Sequence, residues 1–142
     1  MDDISGWGEA GTCSVGPRTQ AVLNLAHNID FAMPVSSYGD VRKGPRGRPV
    51  PGSYSACHAE LKLVVRYLNE QNIDLSAADI HPNHGAPRNV QIVVSKDVCD
   101  NCIDFLRRVN DRLQRIAGIR LQVFSNYYMR GSGEAIYHGQ EV

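Results

Sequence analysis

The chain has 142 residues, of which 42% are hydrophobic and 21% charged, and this ordinary composition argues against intrinsic disorder or a fibrous fold. A length of 142 residues suffices for one compact core, so we expect residues 1–142 to form a single domain. Because 15 basic residues balance 15 acidic ones, strong nonspecific attraction to nucleic acid is disfavoured, although a local basic patch is not.

No apolar run approaches the roughly 18 residues that cross a bilayer. The acidic start Met1-Asp2-Asp3 lacks the basic and then apolar layout of a signal peptide, so we expect a soluble chain without a membrane segment. The four cysteines could form two disulfides, but a domain of this size needs no such cross-links. Reduced thiols or metal-bound thiolates are therefore expected.

In the first part of the chain, glycine-rich residues 1–16 predict an irregular lead-in. A helix is predicted over residues 18–30, because apolar residues recur there on one helical stripe. Residues 31–41 are assigned a short strand, with poor apolar alternation. Glycine and proline then predict a basic loop over residues 42–52. Its four cations are Arg42, Lys43, Arg46 and Arg48.

The middle of the chain combines a helix, a loop and a strand. Leu61, Val64 and Leu68 recur at helical spacing and predict a helix from Cys57 to about residue 72. Prolines and a glycine predict a loop over residues 73–88, and the β-branched run over 89–95 predicts a parallel strand buried on both faces at the centre of a sheet.

A helix and two strands complete the chain. The helix is predicted over residues 98–117, with Asp97 as its N-cap and Gly118 at its end. A strand then begins at Ile119, and residues 134–138 form a last one. Only about eight residues join these two strands, too few for a parallel crossover, so they should form an antiparallel hairpin.

Two short segments carry candidate chemistry, Cys57-His58-Ala59-Glu60 and Cys99-Asp100-Asn101-Cys102, each at the start of a predicted helix. Cysteines three residues apart in a first helical turn can both bind one tetrahedral Zn²⁺, and the positive end of the helix favours their thiolates. With His58 as third ligand, a fourth position stays open for a water whose pKa zinc lowers, as in catalytic zinc sites.

Glu60 is placed to transfer protons at this zinc site. On a regular helix it would point roughly 200° away from His58, but near a helix start it can still reach a water on the metal. The two segments together match the signature of base deaminases, H-x-E followed by P-C-x-x-C, in which the glutamate is a general acid and base and not a ligand.

The main alternative is a noncatalytic binding module, in which Cys57 closes a structural zinc site. Cys57 and His58 would project about 100° apart on a helix, which disfavours their sharing one ion. We therefore interpret Cys57 as a small buried side chain.

At these motifs the chain resembles the cytidine deaminase-like superfamily, specifically its bacterial toxin deaminases, over roughly residues 18–138. The resemblance implies a three-layer α/β/α fold with a mixed sheet of about five strands. It also implies zinc ligands at His58, Cys99 and Cys102 and a catalytic role for Glu60. One departure is Val98, which occupies the place of the usual proline before the first thiolate.

The same resemblance implies a secreted toxin domain that is delivered into the cytoplasm of a target cell, with a cognate immunity protein in the producing cell. Delivery domains would then be missing from this sequence, which accounts for the lack of an export signal. The expected reaction is deamination of cytosine to uracil in single-stranded DNA. A free nucleoside, RNA or double-stranded DNA as substrate stays open.

Several residues are candidates for contacts with a nucleic-acid substrate. The cations Arg42, Lys43, Arg46 and Arg48 could bind phosphates, although a solvated basic loop is an equal alternative. Tyr54 could stack on an unpaired base, as could Tyr127 and Tyr128. Packing of these rings in the protein is the stronger alternative for each tyrosine. His81, His84 and His138 could line the pocket, but surface positions are favoured for them.

Overall fold

The computed structural model describes residues 16–36, 40, 42–43, 48–77, 86–95, 97–128 and 135–142. The chain divides into two compact units, residues 1–76 and residues 77–142. The helices of the described residues are α1 (Pro17–Asn28), α2 (Ser53–Ala56), α3 (Ala59–Glu70) and α4 (Asp100–Ala117). The strands are β1 (Arg42–Lys43), β2 (Arg48–Pro49), β3 (Arg88–Val94), β4 (Ile119–Tyr128) and β5 (Ala135–Gln140). This mixed composition confirms the predicted α/β class.

Helices α1 and α3 form the core of the first unit. Pro17 is the first residue of α1, which suits a residue without an N–H group, and the predicted helix over residues 18–30 is confirmed with an earlier end. Its buried face includes Val22 and Ala26, and α1 contacts both α2 and α3. The predicted lead-in lies outside the described residues except for Gly16.

The predicted strand and basic loop in the first unit need correction. Described residues 31–36 contain no strand, whereas residues 37–39 and 41 lie outside the described part of the chain. Within the predicted loop, β1 and β2 pair antiparallel, with Arg42 opposite Pro49 and Lys43 opposite Arg48. A two-stranded ladder tolerates Pro49, because the proline lies at a strand edge where no N–H group is required.

The second unit contains a three-stranded sheet in the order β3-β4-β5. Strands β3 and β4 are parallel, from Arg88 opposite Ile119 to Val94 opposite Ser125. The β4 and β5 strands are antiparallel, which confirms the predicted hairpin. The described strands thus form a three-stranded sheet and a separate ladder, and they do not show the expected five-stranded sheet.

The predicted parallel pairing of β3 is confirmed, whereas the prediction that it is buried on both faces was wrong. It lies at the edge of the described sheet, and Ile92 is its only buried residue. Val93 is 49% exposed despite its apolar side chain. Only four residues of this segment are β-branched, Val90, Ile92, Val93 and Val94; Gln91 interrupts them and Asn89 precedes them.

Helix α4 packs against β4 and connects β3 to it. Phe105, Leu106, Val109 and Leu113 are fully buried on α4, close to the predicted inner face. Gly118 ends the helix in the left-handed conformation, with φ of 62°, as the sequence predicted. None of the helices in the described residues is long and apolar enough to cross a membrane.

Candidate metal centre

His58 lies between two helices of the first unit. Cys57 caps the C-terminus of α2, and His58 is the N-cap of α3 with an extended backbone (φ −68°, ψ 142°). Its carbonyl oxygen accepts a hydrogen bond from the Lys62 N–H at 3.3 Å. The helix that was predicted to begin at Cys57 therefore begins at Ala59. Cys57 and His58 lie between α2 and α3 and belong to neither helix.

This break brings the Glu60 carboxylate near the His58 ring. Glu60 Oε1 lies 3.7 Å from His58 Nδ1, and only 8% of the Glu60 residue is exposed. The predicted separation of about 200° assumed that both residues are helical. Because His58 is extended, that angle does not apply, and both side chains face one another at the start of α3.

Cys57 and Tyr54 contact each other next to His58. The Cys57 thiol is buried and donates a hydrogen bond to the Tyr54 carbonyl oxygen at 3.0 Å. The Tyr54 ring is perpendicular to the His58 ring, at an interplanar angle of 72° and a centroid distance of 5.7 Å. Tyr54 is 46% exposed.

Asp40 organises the backbone that leads into α2, and sequence reasoning missed it. Its buried carboxylate accepts hydrogen bonds from the N–H groups of Ser36 (2.9 Å), Gly52 (3.1 Å) and Tyr54 (2.9 Å). Gly52 has φ of +79°, and a Cβ there would lie 2.7 Å from Met33 Cβ. No sequence signal marks a lone aspartate as an acceptor for N–H groups that lie 12 and 14 positions further along the chain.

Cys99 and Cys102 lie at the start of α4 in the second unit. Cys99 is the N-cap, with an extended backbone and an exposed side chain, whereas Cys102 is buried in the first turn. The Cys99 carbonyl oxygen accepts the Ile103 N–H at 2.9 Å.

Three side chains of the described residues form a candidate metal-binding group. Ligand atoms of His58, Cys99 and Cys102 all lie within 4.8 Å of one another, so this group could hold a metal ion. One imidazole nitrogen and two thiolate sulfurs are donors that suit Zn²⁺, and three protein ligands leave one tetrahedral position open. The Cys57 sulfur is not part of this group.

The two residues before Cys99 are bonded to β4 and β5. Asp97 is not an N-cap, contrary to the prediction; its Oδ1 accepts a hydrogen bond from the Ser125 hydroxyl and lies 3.3 Å from His138 Nδ1. The Ser125 hydroxyl and, to a lesser degree, His138 lower the pKa of the Asp97 carboxyl. Val98 forms two hydrogen bonds with the Gln140 side chain.

For most of the other predicted site residues, the structure describes only the backbone or no atoms at all. Backbones of Arg42, Lys43 and Arg48 lie in β1 and β2, and those of Tyr127 and Tyr128 lie at the end of β4. The side chains of these five residues are outside the description, as are all atoms of Arg46, His81 and His84. His138 is exposed on β5, as predicted for a surface histidine.

Comparison with known proteins gives a family match for part of the chain. The family model described as single-strand DNA deaminase toxin A, C-terminal, matches residues 3–64. This segment contains His58 and Glu60, and it ends before Cys99 and Cys102. No curated protein and no solved structure gave a significant match. Over residues 3–64 the chain therefore matches a family of DNA deaminase toxins, which confirms the resemblance to toxin deaminases predicted from the motifs.

Proposed function

We propose that the protein is a zinc-dependent hydrolytic deaminase that converts cytosine to uracil in single-stranded DNA. One observation carries the proposal: the ligand atoms of His58, Cys99 and Cys102 lie within 4.8 Å of one another, and the Glu60 carboxylate lies 3.7 Å from His58. A three-ligand metal group with an adjacent carboxylate is the arrangement that base deaminases require.

Bound zinc would act as a Lewis acid and lower the pKa of water toward neutrality. The Glu60 carboxylate would take a proton from the attacking water and pass it to the ring nitrogen of cytosine. The same side chain would then move the proton of the new hydroxyl on the attacked carbon to the amino group as the exocyclic C–N bond breaks, so that cytosine and water yield uracil and ammonia. The low exposure of Glu60 supports this role, because a shielded carboxyl exchanges protons with the substrate in preference to bulk water.

Single-stranded DNA is favoured as substrate by two features besides the family match. The exposed ring of Tyr54, 5.7 Å from the His58 ring, supports stacking of a base next to the metal group. Arg42, Lys43, Arg46 and Arg48 supply cations in the segment just before α2, where they would bind phosphates.

The proposal includes the wider features that the resemblance implies. All 142 residues would form one deaminase domain with a three-layer cytidine deaminase-like fold. The domain would act as an interbacterial mutagenic toxin that is secreted and delivered into the target-cell cytoplasm. The producing cell would then need an immunity protein against it.

A substrate panel tests the proposed reaction. Purified protein loaded with zinc is incubated separately with single-stranded DNA, double-stranded DNA, RNA and free cytidine, and uracil or uridine is measured. Uracil formation chiefly in single-stranded DNA supports the proposal. Activity on free cytidine alone would contradict it and favour a nucleoside deaminase, which the zero net charge of the chain also suits. Zinc binding without activity on any substrate would favour a structural-zinc binding module.

A variant pair tests the phosphate contacts. Replacing Arg42 and Lys43 with glutamine should weaken binding of single-stranded DNA and reduce its dependence on salt, since fewer counterions are released. Replacing Arg107, an exposed cation on α4 that pairs with Asp104, serves as the control.

A further inference from the structure

The backbone just before Cys99 is held by a side chain from the other end of the second unit. The Val98 N–H donates a hydrogen bond to Gln140 Oε1 at 2.7 Å, and Gln140 Nε2 donates one to the Val98 carbonyl oxygen at 3.2 Å. Both polar groups of one backbone residue are thus bonded to one side-chain amide that lies 42 positions further along the chain.

The backbone of Gln140 belongs to the sheet. Gln140 is the last residue of β5, and its backbone is paired with Val123 of β4. Val98 itself is only 6% exposed. The sheet therefore fixes the position of the Gln140 backbone. The two hydrogen bonds of the Gln140 side chain in turn hold Val98, the residue before Cys99.

This contact takes the place of a proline. The signature of base deaminases has proline before the first cysteine, where the ring fixes φ and leaves no N–H group to satisfy. Val98 has a freer backbone and an N–H group that must be bonded when it is buried. Cys99 is an N-cap outside the regular helix, so helical hydrogen bonds do not hold the residues before it.

We infer that Gln140 is a positioning residue for the metal centre: its amide holds Val98 and thereby fixes the position of Cys99 in the ligand group. Asp97 strengthens this attachment, since it accepts a hydrogen bond from Ser125 of β4. The inference rests on the proposed metal centre. It assigns to Gln140 no contact with the metal or the substrate.

The test compares three variants by their Zn²⁺ affinity, measured by competition with a chromophoric chelator. Gln140→Met keeps the length of the side chain but loses both hydrogen bonds. Gln140→Glu keeps the acceptor for the Val98 N–H. Gln122→Met, on β4 of the same sheet and also partly buried, is the matched control. Thermal melts of the metal-free proteins report folding separately.

The expected loss for Gln140→Met is about tenfold in Zn²⁺ affinity, the lower end of the range for residues that orient metal ligands. Gln140→Glu should stay within about threefold of the wild type, because it retains the shorter of the two bonds. Gln122→Met should bind like the wild type. Wild-type affinity in Gln140→Met would overturn the inference, even if its metal-free form melts earlier, because that pattern indicates a structural role alone.

Equal losses in Gln140→Glu and Gln140→Met would also overturn the inference. If Gln140→Met does not fold, Gln140→Glu decides: an affinity close to the wild type supports the inference, and a tenfold loss overturns it. Failure of the metal centre itself looks different, because the wild-type protein would then bind no Zn²⁺, or His58→Ala would bind it as tightly as the wild type.

Discussion

Asn110 of α4 offers a sharp test of how the helix of the two cysteines is held on the sheet. This residue is 2% exposed. Its Nδ2 donates hydrogen bonds to the carbonyl oxygens of Leu121 (3.0 Å) and Val142 (2.9 Å), and its Oδ1 accepts the Leu121 N–H at 2.7 Å. The side chain thus bonds to both backbone groups of Leu121, just beyond the Val123–Gln140 pair of β4 and β5.

Asn110→Ala would leave both Leu121 groups unsatisfied in a buried setting. Each such group costs about 1–3 kcal/mol. The Val142 carbonyl is only partly buried, so water can replace its bond at little cost. We therefore expect the variant to lose at least about 2 kcal/mol in the free energy of unfolding.

Urea denaturation followed by circular dichroism measures this loss. Gln114→Ala, an exposed position on the same helix, is the control and should change stability by no more than about 0.5 kcal/mol. A loss below about 1 kcal/mol for Asn110→Ala would refute the reasoning, because the Leu121 groups would then have found other partners.

Two further predictions concern the first unit and the metal. Gly52→Ala should lower the free energy of unfolding by about 2–4 kcal/mol, because the position has a positive φ and the new Cβ would lie 2.7 Å from Met33 Cβ. Gly139→Ala is the control in the same denaturation assay. Its Cβ would meet Phe124 at 3.4 Å, so its effect should be small. Zinc at about 100 times its dissociation constant should add about 2.7 kcal/mol of stability. A melt with and without a chelator measures this gain, which His58→Ala should abolish.

The sequence predicted the parts of the molecule that depend on local pattern. The helix periodicity identified α1, α3 and α4, and the short connection identified the β4–β5 hairpin. The candidate ligands His58, Cys99 and Cys102 were proposed from residue types and spacing, on the expectation that both motifs start a helix. In the structure, His58 and Cys99 each directly precede a helix.

The missed features depend on contacts between residues far apart in the chain. No local pattern indicates that Asp40 accepts the Gly52 and Tyr54 N–H groups or that Gln140 bonds to Val98. The N-cap of α4 was assigned to Asp97 by residue preference, whereas Ser125 engages that carboxylate instead. Burial of β3 was overestimated, because a β-branched run gives no information on what covers a strand.

The central claim is that Glu60 transfers protons in a zinc-dependent deamination, and one variant tests it most directly. Glu60→Gln should fold, retain zinc and lose uracil formation by at least about a hundredfold, the usual contribution of a general acid and base. Glu70→Gln, an exposed glutamate on the same helix, should keep the wild-type rate. If zinc-loaded Glu60→Gln instead forms uracil within about tenfold of the wild-type rate, the proposed role of Glu60 is wrong.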